Sequence, residues 1–221
     1  MKFEEENSGD TLKKSVSSLM RKNFVMQASF VYITLALISL TAIRYGQKNL
    51  ETIFSFDVFK NVGSTTILKQ VALAVAFLIL LSQAFQLWSK SYRVTVQYFS
   101  RVFGSMNLLT LLYLAILSSV AEEMLFRGVL QPYLGVILTS LIFGLMHMGP
   151  GGLGIWSLWA LIAGLVLGLL FDAHQNLIPV IIIHFIVNFS SFVMIYYKNL
   201  RRFKDAAQLQ NGVEVPPHFP K

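Results

Sequence analysis

Leu117-Ser118-Ser119-Val120-Ala121-Glu122-Glu123-Met124-Leu125-Phe126-Arg127-Gly128 sets three charges within an apolar stretch. Between Met106 and Tyr196 only one more charge occurs, at Asp172. A charge at bilayer depth costs about 2.5–3.5 kcal/mol on insertion scales, so three in close succession need a purpose. The surrounding sequence decides that bilayer depth is the right frame. Of 221 residues, 55% are hydrophobic and 13% are charged, against about 25% charged in an ordinary soluble domain. One core cannot bury that much apolar side chain and leave a wettable surface. Composition therefore excludes a soluble globule and a disordered chain, and the absence of Cys excludes a disulfide scaffold. An all-α polytopic membrane protein remains.

Working outward, the chain divides into apolar blocks. Phe24–Ile43 is too long for a signal-peptide core and reads as an uncleaved span. Gly46–Thr66 is a polar connection with Phe54, Phe56 and Phe59, suited to a short interfacial helix. Ile67–Trp88 is the second span, and Lys90–Arg101 is a basic, aromatic surface segment. A third helix starts near Met106 and runs through Glu122–Arg127 towards Pro132. Leu134–Met148 is a shorter fourth, stopped by Gly149-Pro150-Gly151-Gly152. Ile155–Phe171 is the fifth, with Ala160, Gly164 and Gly168 in a small-xxx-small stripe that lets backbones approach. After a turn at Asp172–Asn176, Leu177–Tyr197 is the sixth, with Pro179 in its first turn. The expectation is a bundle of about six transmembrane helices.

Charge sets the expected orientation. Five of the 18 Lys and Arg precede residue 23 and five follow residue 197. Both termini are thus expected in the cytoplasm, which suits an even helix count. Residues 1–23 read as a mobile cytoplasmic tail, 24–104 as N-terminal membrane helices with amphipathic connections, and 198–221 as a polar basic tail. The net charge of +7 is what basic flanks of membrane helices produce, and it implies no nucleic acid.

The remaining polar groups of the apolar half lie on three helices. Glu123 and Arg127 are four apart with the Glu first, the favoured order for a helical ion pair. Glu122 is turned by about 100° from Glu123 and has no local cation. His147 closes Phe143-Gly144-Leu145-Met146-His147, and His184 and Asn188 share a face of the last helix. A structural clamp accounts for Glu123 and Arg127, and a His/Asn pair can simply bond two helices. Glu122 has no comparable structural account. An enzyme reading requires Glu122, His147, His184 and Asn188 to converge on one cavity.

The order Glu-Glu-x-x-x-Arg, Phe-x-x-x-His, His-x-x-x-Asn resembles the CAAX-protease and bacteriocin-processing family of intramembrane proteases, which includes the Ras-converting CAAX endoprotease. The resemblance covers residues 105–197, which it makes a catalytic helical core. It implies that Glu122 is the base, that His147 positions a water with it, and that His184 and Asn188 hold the oxyanion. Glu123 and Arg127 then brace the helix. The family has been described both as metal-independent glutamate proteases and as metalloproteases. Glu122, His147 and His184 are residue types of a zinc set, although no His-Glu-x-x-His helix is present.

The resemblance implies a membrane-associated peptide or protein substrate, a lipid bilayer as surroundings, and the inner or plasma membrane of a prokaryote. Two other classes compete. One is a non-catalytic membrane immunity or scaffold protein of the same fold, which needs no His/Asn pair. The other is a proton-coupled transporter, disfavoured by the lack of internal repeats and the small number of helices. A serine protease lacks support, since there is no Gly-x-Ser-x-Gly elbow.

Overall fold

In lipid, backbone N–H and C=O groups find partners only within the protein, so long apolar runs must close their own hydrogen bonds as helices. The computed structural model describes residues 2–46, 50–61 and 64–210 and is helical almost throughout. The order is α1 (Lys2–Tyr45), α2 (Leu50–Ile53), α3 (Val58–Asn61), α4 (Ser64–Trp88), α5 (Lys90–Phe103), α6 (Leu108–Glu123), a π-helical segment (Met124–Leu130), α7 (Gln131–Met146), α8 (Ile155–His174) and α9 (Leu177–Gln210). The chain is an all-α polytopic membrane protein. Five stretches are long and apolar enough to cross a bilayer: Ser18–Tyr45, Thr65–Trp88, Leu108–Met146, Ile155–His174 and Leu177–Arg201.

The count of about six needs refinement, because the expected third and fourth helices form one helical run, broken at Gly135. Gly135 has φ 71° and ψ 171°, a backbone state that side chains rarely allow. The chain reverses there. On α8, Gly164 lies beside the Arg127 side chain and also beside Ser140 and Phe143. Gly168 lies beside Gln131 and Val136. Numbers therefore rise along α8 with the π segment and fall with α7, so the two limbs run antiparallel. The limb after Gly135 has about 11 residues, or roughly 16 Å of helix, too short to cross a ~30 Å core alone.

The small-residue stripe is what seats this hairpin. A Cβ on Gly164 would meet Ser140 Cα at 3.2 Å, so backbones touch there. With no side chain in the way, the carbonyls of Gly164 and Gly168 accept from Arg127 Nη2 (3.1 Å) and Gln131 Nε2 (2.8 Å). Both donors are four apart, as are both acceptors. Ala160 of the same stripe is fully buried.

Two capped starts fix the surface segment. Ser89 Oγ accepts from Tyr92 N (3.1 Å) at the start of α5, and Asn107 Oδ1 accepts from Thr110 N (2.8 Å) at the start of α6. α5 is amphipathic, as the Lys90–Arg101 reading expects, and it buries Tyr92 and Thr95 inward. At the opposite end, Asn176 Nδ2 donates to the carbonyls of Thr52 and Ser55, tying the α8–α9 turn to the α2–α3 connection.

The terminal segments read as tails are helical over their described residues. α1 begins at Lys2 and enters the first span without a break, and α9 continues to Gln210. Neither extension holds Pro, and Glu, Lys, Leu and Ala are frequent in them. Adding residues to an existing helix avoids the nucleation cost, so modest propensity suffices. The run Pro216–Pro220, with His218, lies outside the described residues.

Candidate active site

The site grows from the end of α6. Glu122 and Glu123 are its last two residues, and the helix then widens into the π segment. π-helical turns are rare and frequently occur at functional sites. Glu122 points into a cavity of about 170 Å³ that His147, His184 and Asn188 also line. The four predicted residues are thus brought together from α6, the end of α7, and α9. Aromatic and aliphatic side chains form most of the remaining wall, including Phe99 and Phe103 of α5 and Trp156 and Trp159 of α8.

The two oxygens of Glu122 have different surroundings. Oε1 accepts from Tyr32 Oη at 3.1 Å. Oε2 lies 3.5 Å from His147 Nε2 and 3.9 Å from His184 Nε2, and makes no hydrogen bond. Each ring is oriented by its other nitrogen. His147 Nδ1 lies 2.8 Å from the Phe143 carbonyl, which can only accept, so Nδ1 carries a proton. His184 Nδ1 lies 2.6 Å from Glu123 Oε1, the short distance of a charge-assisted bond. That same oxygen accepts from Arg127 Nη1 at 3.1 Å, so His184 Nδ1 is a donor as well. Both imidazoles therefore turn Nε2 towards Glu122.

Phe143 explains the Phe-x-x-x-His spacing physically. Its carbonyl holds His147, and its ring packs against His147 with centroids 4.2 Å apart. The edge of the same ring meets His184 at 6.0 Å, and the Arg127 guanidinium lies 4.9 Å from its centroid.

Glu123 and Arg127 are the clamp that helical spacing suggests. Their side chains are 0% and 1% exposed. Through His184 and the Gly164 carbonyl they join the α6 end to α9 and α8. Asn188 Nδ2 donates to Ser118 Oγ at 3.3 Å, one turn before Glu122.

Residues 104–190 match the family model described as Rce1-like, type II CAAX prenyl endopeptidase. The uncharacterized protein YpbD of Bacillus subtilis (strain 168) is 30% identical over 119 residues, which cover 53% of this chain and 62% of that protein. The shared region thus spans less than two thirds of the relative's length. No solved structure matches. The similarity supports a CAAX-type intramembrane protease fold for residues 104–190, which contain all six charged or polar positions drawn from the motifs.

As to a metal, the site does not gather all its ligand types tightly. Among the described residues, no group of three His, Cys, Asp or Glu takes up a metal-holding arrangement. The 3.9 Å separation of Glu122 Oε2 from His184 Nε2 exceeds the roughly 3.3–3.5 Å ligand-to-ligand edge of a tetrahedral zinc site, while the 3.5 Å to His147 Nε2 lies at its limit.

Two parts of the site lie beyond sequence reasoning. Tyr32 comes from α1, 90 residues before its partner and outside the matched residues 104–190. Tyrosines are common in membrane helices, so nothing in its local sequence marks it. Trp156 and Trp159 stack with centroids 5.4 Å apart and wall the cavity. Their spacing places them near one face of α8 but does not point to a cavity.

Proposed function

We propose that the chain is an intramembrane endopeptidase in which Glu122 activates water for attack on a peptide bond. The observation that carries this reading is the convergence of Glu122, His147, His184 and Asn188 on one cavity. Glu122 Oε2 is a buried acceptor with no hydrogen-bond partner, and His147 Nε2 stands 3.5 Å from it. A water bonded to both loses its proton to Glu122 as its oxygen adds to the substrate carbonyl. The carbonyl oxygen becomes an oxyanion. Asn188 Nδ2 and a proton on His184 Nε2 stabilise it, with the His184 charge balanced by Glu123. The C–N bond then breaks, and the proton held by Glu122 passes to the departing amine nitrogen. No step requires a metal.

The substrate class follows from the walls and from the family. The apolar, aromatic lining suits a membrane-associated peptide or protein, and the family similarity suggests a CAAX-type C-terminus. The basic end of the bundle sets the orientation. Arg21, Lys22, Lys90, Arg93, Arg101 and Lys198 gather there, and the sequence holds no acidic residue between 11 and 50 or between 58 and 121. Contacts join these segments: Arg21 to the Ser105 carbonyl, Asn199 to the Gly104 carbonyl, and Lys198 to Gln86. The opposite end carries Glu51, Asp57 and Asp172 as well as cations. Cations are retained on the cytoplasmic side, so the α5-covered end of the cavity faces the cytoplasm.

The test is cleavage of a quenched fluorogenic peptide ending in a prenylated CAAX sequence, alongside an unprenylated membrane-inserted peptide. Glu122→Gln is expected to lower turnover by at least about 10²-fold while the protein stays folded. His147→Ala and His184→Ala are expected to be similarly inactive. Full activity in Glu122→Gln would falsify the assignment and favour a scaffold.

A further inference from the structure

We propose that Tyr32 is a positioning residue for Glu122, and that the first helix is therefore part of the site. The proposal rests on the peptidase reading above. A glutamate carboxylate turns easily about its last torsion, which interchanges its two oxygens. Only one orientation serves the chemistry, with a free oxygen facing the imidazoles. Tyr32 Oη holds Oε1 at 3.1 Å, leaving Oε2 without a hydrogen bond and 3.5 Å from His147 Nε2. Neither imidazole hydrogen-bonds Oε1, so the phenol is what distinguishes the two oxygens.

The register of α1 on α6 delivers this contact. Arg21 Nη1 donates to the Ser105 carbonyl at 2.8 Å, and Tyr113 Oη donates to Ser29 Oγ at 3.0 Å. Further along, a Cβ on Gly128 would come within 2.6 Å of Ile43 Cδ1, so the helices approach closely there. Contacts on both sides of Tyr32 thus fix its height against Glu122. Tyr32 also lines the cavity itself. The arrangement gives α1 a role that a match confined to residues 104–190 leaves open.

The experiment combines kinetics with a spectroscopic probe of the full chain in detergent or nanodiscs. Tyr32→Phe removes one oxygen and keeps the ring, and it is expected to lower kcat about 10- to 100-fold with KM within about twofold. In parallel, 3-fluorotyrosine at position 32 is expected to give a ¹⁹F resonance that moves on Glu122→Gln. Unchanged kcat in Tyr32→Phe, beside an inactive Glu122→Gln, overturns the positioning role and leaves the peptidase reading standing. A raised KM at unchanged kcat also overturns it, making Tyr32 a substrate contact. A resonance blind to Glu122→Gln removes the contact itself. An active Glu122→Gln, or a parent protein inactive on both peptides, overturns the peptidase reading, and the positioning role falls with it.

Discussion

Replacing Arg127 by Met tests whether the Glu123–Arg127 pair holds the bundle rather than performs chemistry. The guanidinium reaches Glu123 Oε1 at 3.1 Å and the Gly164 carbonyl at 3.1 Å, over the Phe143 ring at 4.9 Å. Both side chains are sealed from solvent, at 1% and 0% exposure, so no water screens the loss. Removing one member of such a buried pair costs about 3–5 kcal/mol, here towards the lower end because Glu123 Oε1 keeps His184 Nδ1 at 2.6 Å. Met fills a similar volume, so cavity formation adds little. Arg127→Met is therefore expected to lose about 3 kcal/mol, roughly 10²-fold in the folded-to-unfolded ratio. Adding Glu123→Gln removes the carboxylate left without its guanidinium but keeps an amide oxygen for His184 Nδ1. The double variant should regain about 1 kcal/mol or more. Equilibrium unfolding in mixed micelles reads this directly through tryptophan emission, since Trp156 and Trp159 wall the cavity. Arg127→Met within about 1 kcal/mol of the parent would refute the clamp. So would a double variant no more stable than the single one.

Exhaustive dialysis against a strong zinc chelator is expected to leave peptide cleavage at its full rate. Loss of cleavage that added zinc restores would place a metal among Glu122, His147 and His184. Orientation can be read by single-cysteine labelling, because the chain has no native Cys. Leu87→Cys, 75% exposed at the basic end, should react with an impermeant maleimide only after the membrane is opened, and Tyr45→Cys, 83% exposed at the other end, should react in intact cells. The reverse pattern would overturn the cytoplasmic placement of the cavity.

The parts of the molecule that were legible in the sequence share a physical origin. In a bilayer, apolar length dictates helices, and a polar side chain within that length is costly enough to be noticed. Scarcity exposed Glu122, Glu123 and Arg127, and four-residue spacing put His184 and Asn188 on one helix face. The Gly164–Gly168 stripe was visible for the same reason, as a repeat at the helical period. The features that stayed hidden depend on events with no such local cost. A glycine at position 135 looks like any glycine in a membrane helix until the chain reverses at it, and the span count turns on that reversal. The first 22 residues looked like a tail because they are polar, yet polarity says where a segment sits and not whether it is helical.

Tyr32 is the instructive omission. A tyrosine tolerates lipid, water interfaces and cores alike, so its presence in an apolar span carries no surplus energy to explain. Its meaning arises only when α1 packs in register on α6, through Arg21 to Ser105 and Tyr113 to Ser29. Motif reasoning finds residues whose chemistry is expensive where they stand. It passes over residues that cost nothing alone and acquire a role from a partner far away in the chain. In this site the two kinds meet at a single carboxylate. One oxygen of Glu122 faces the imidazoles that the motifs predicted, and the other is held by a phenol that no motif contains.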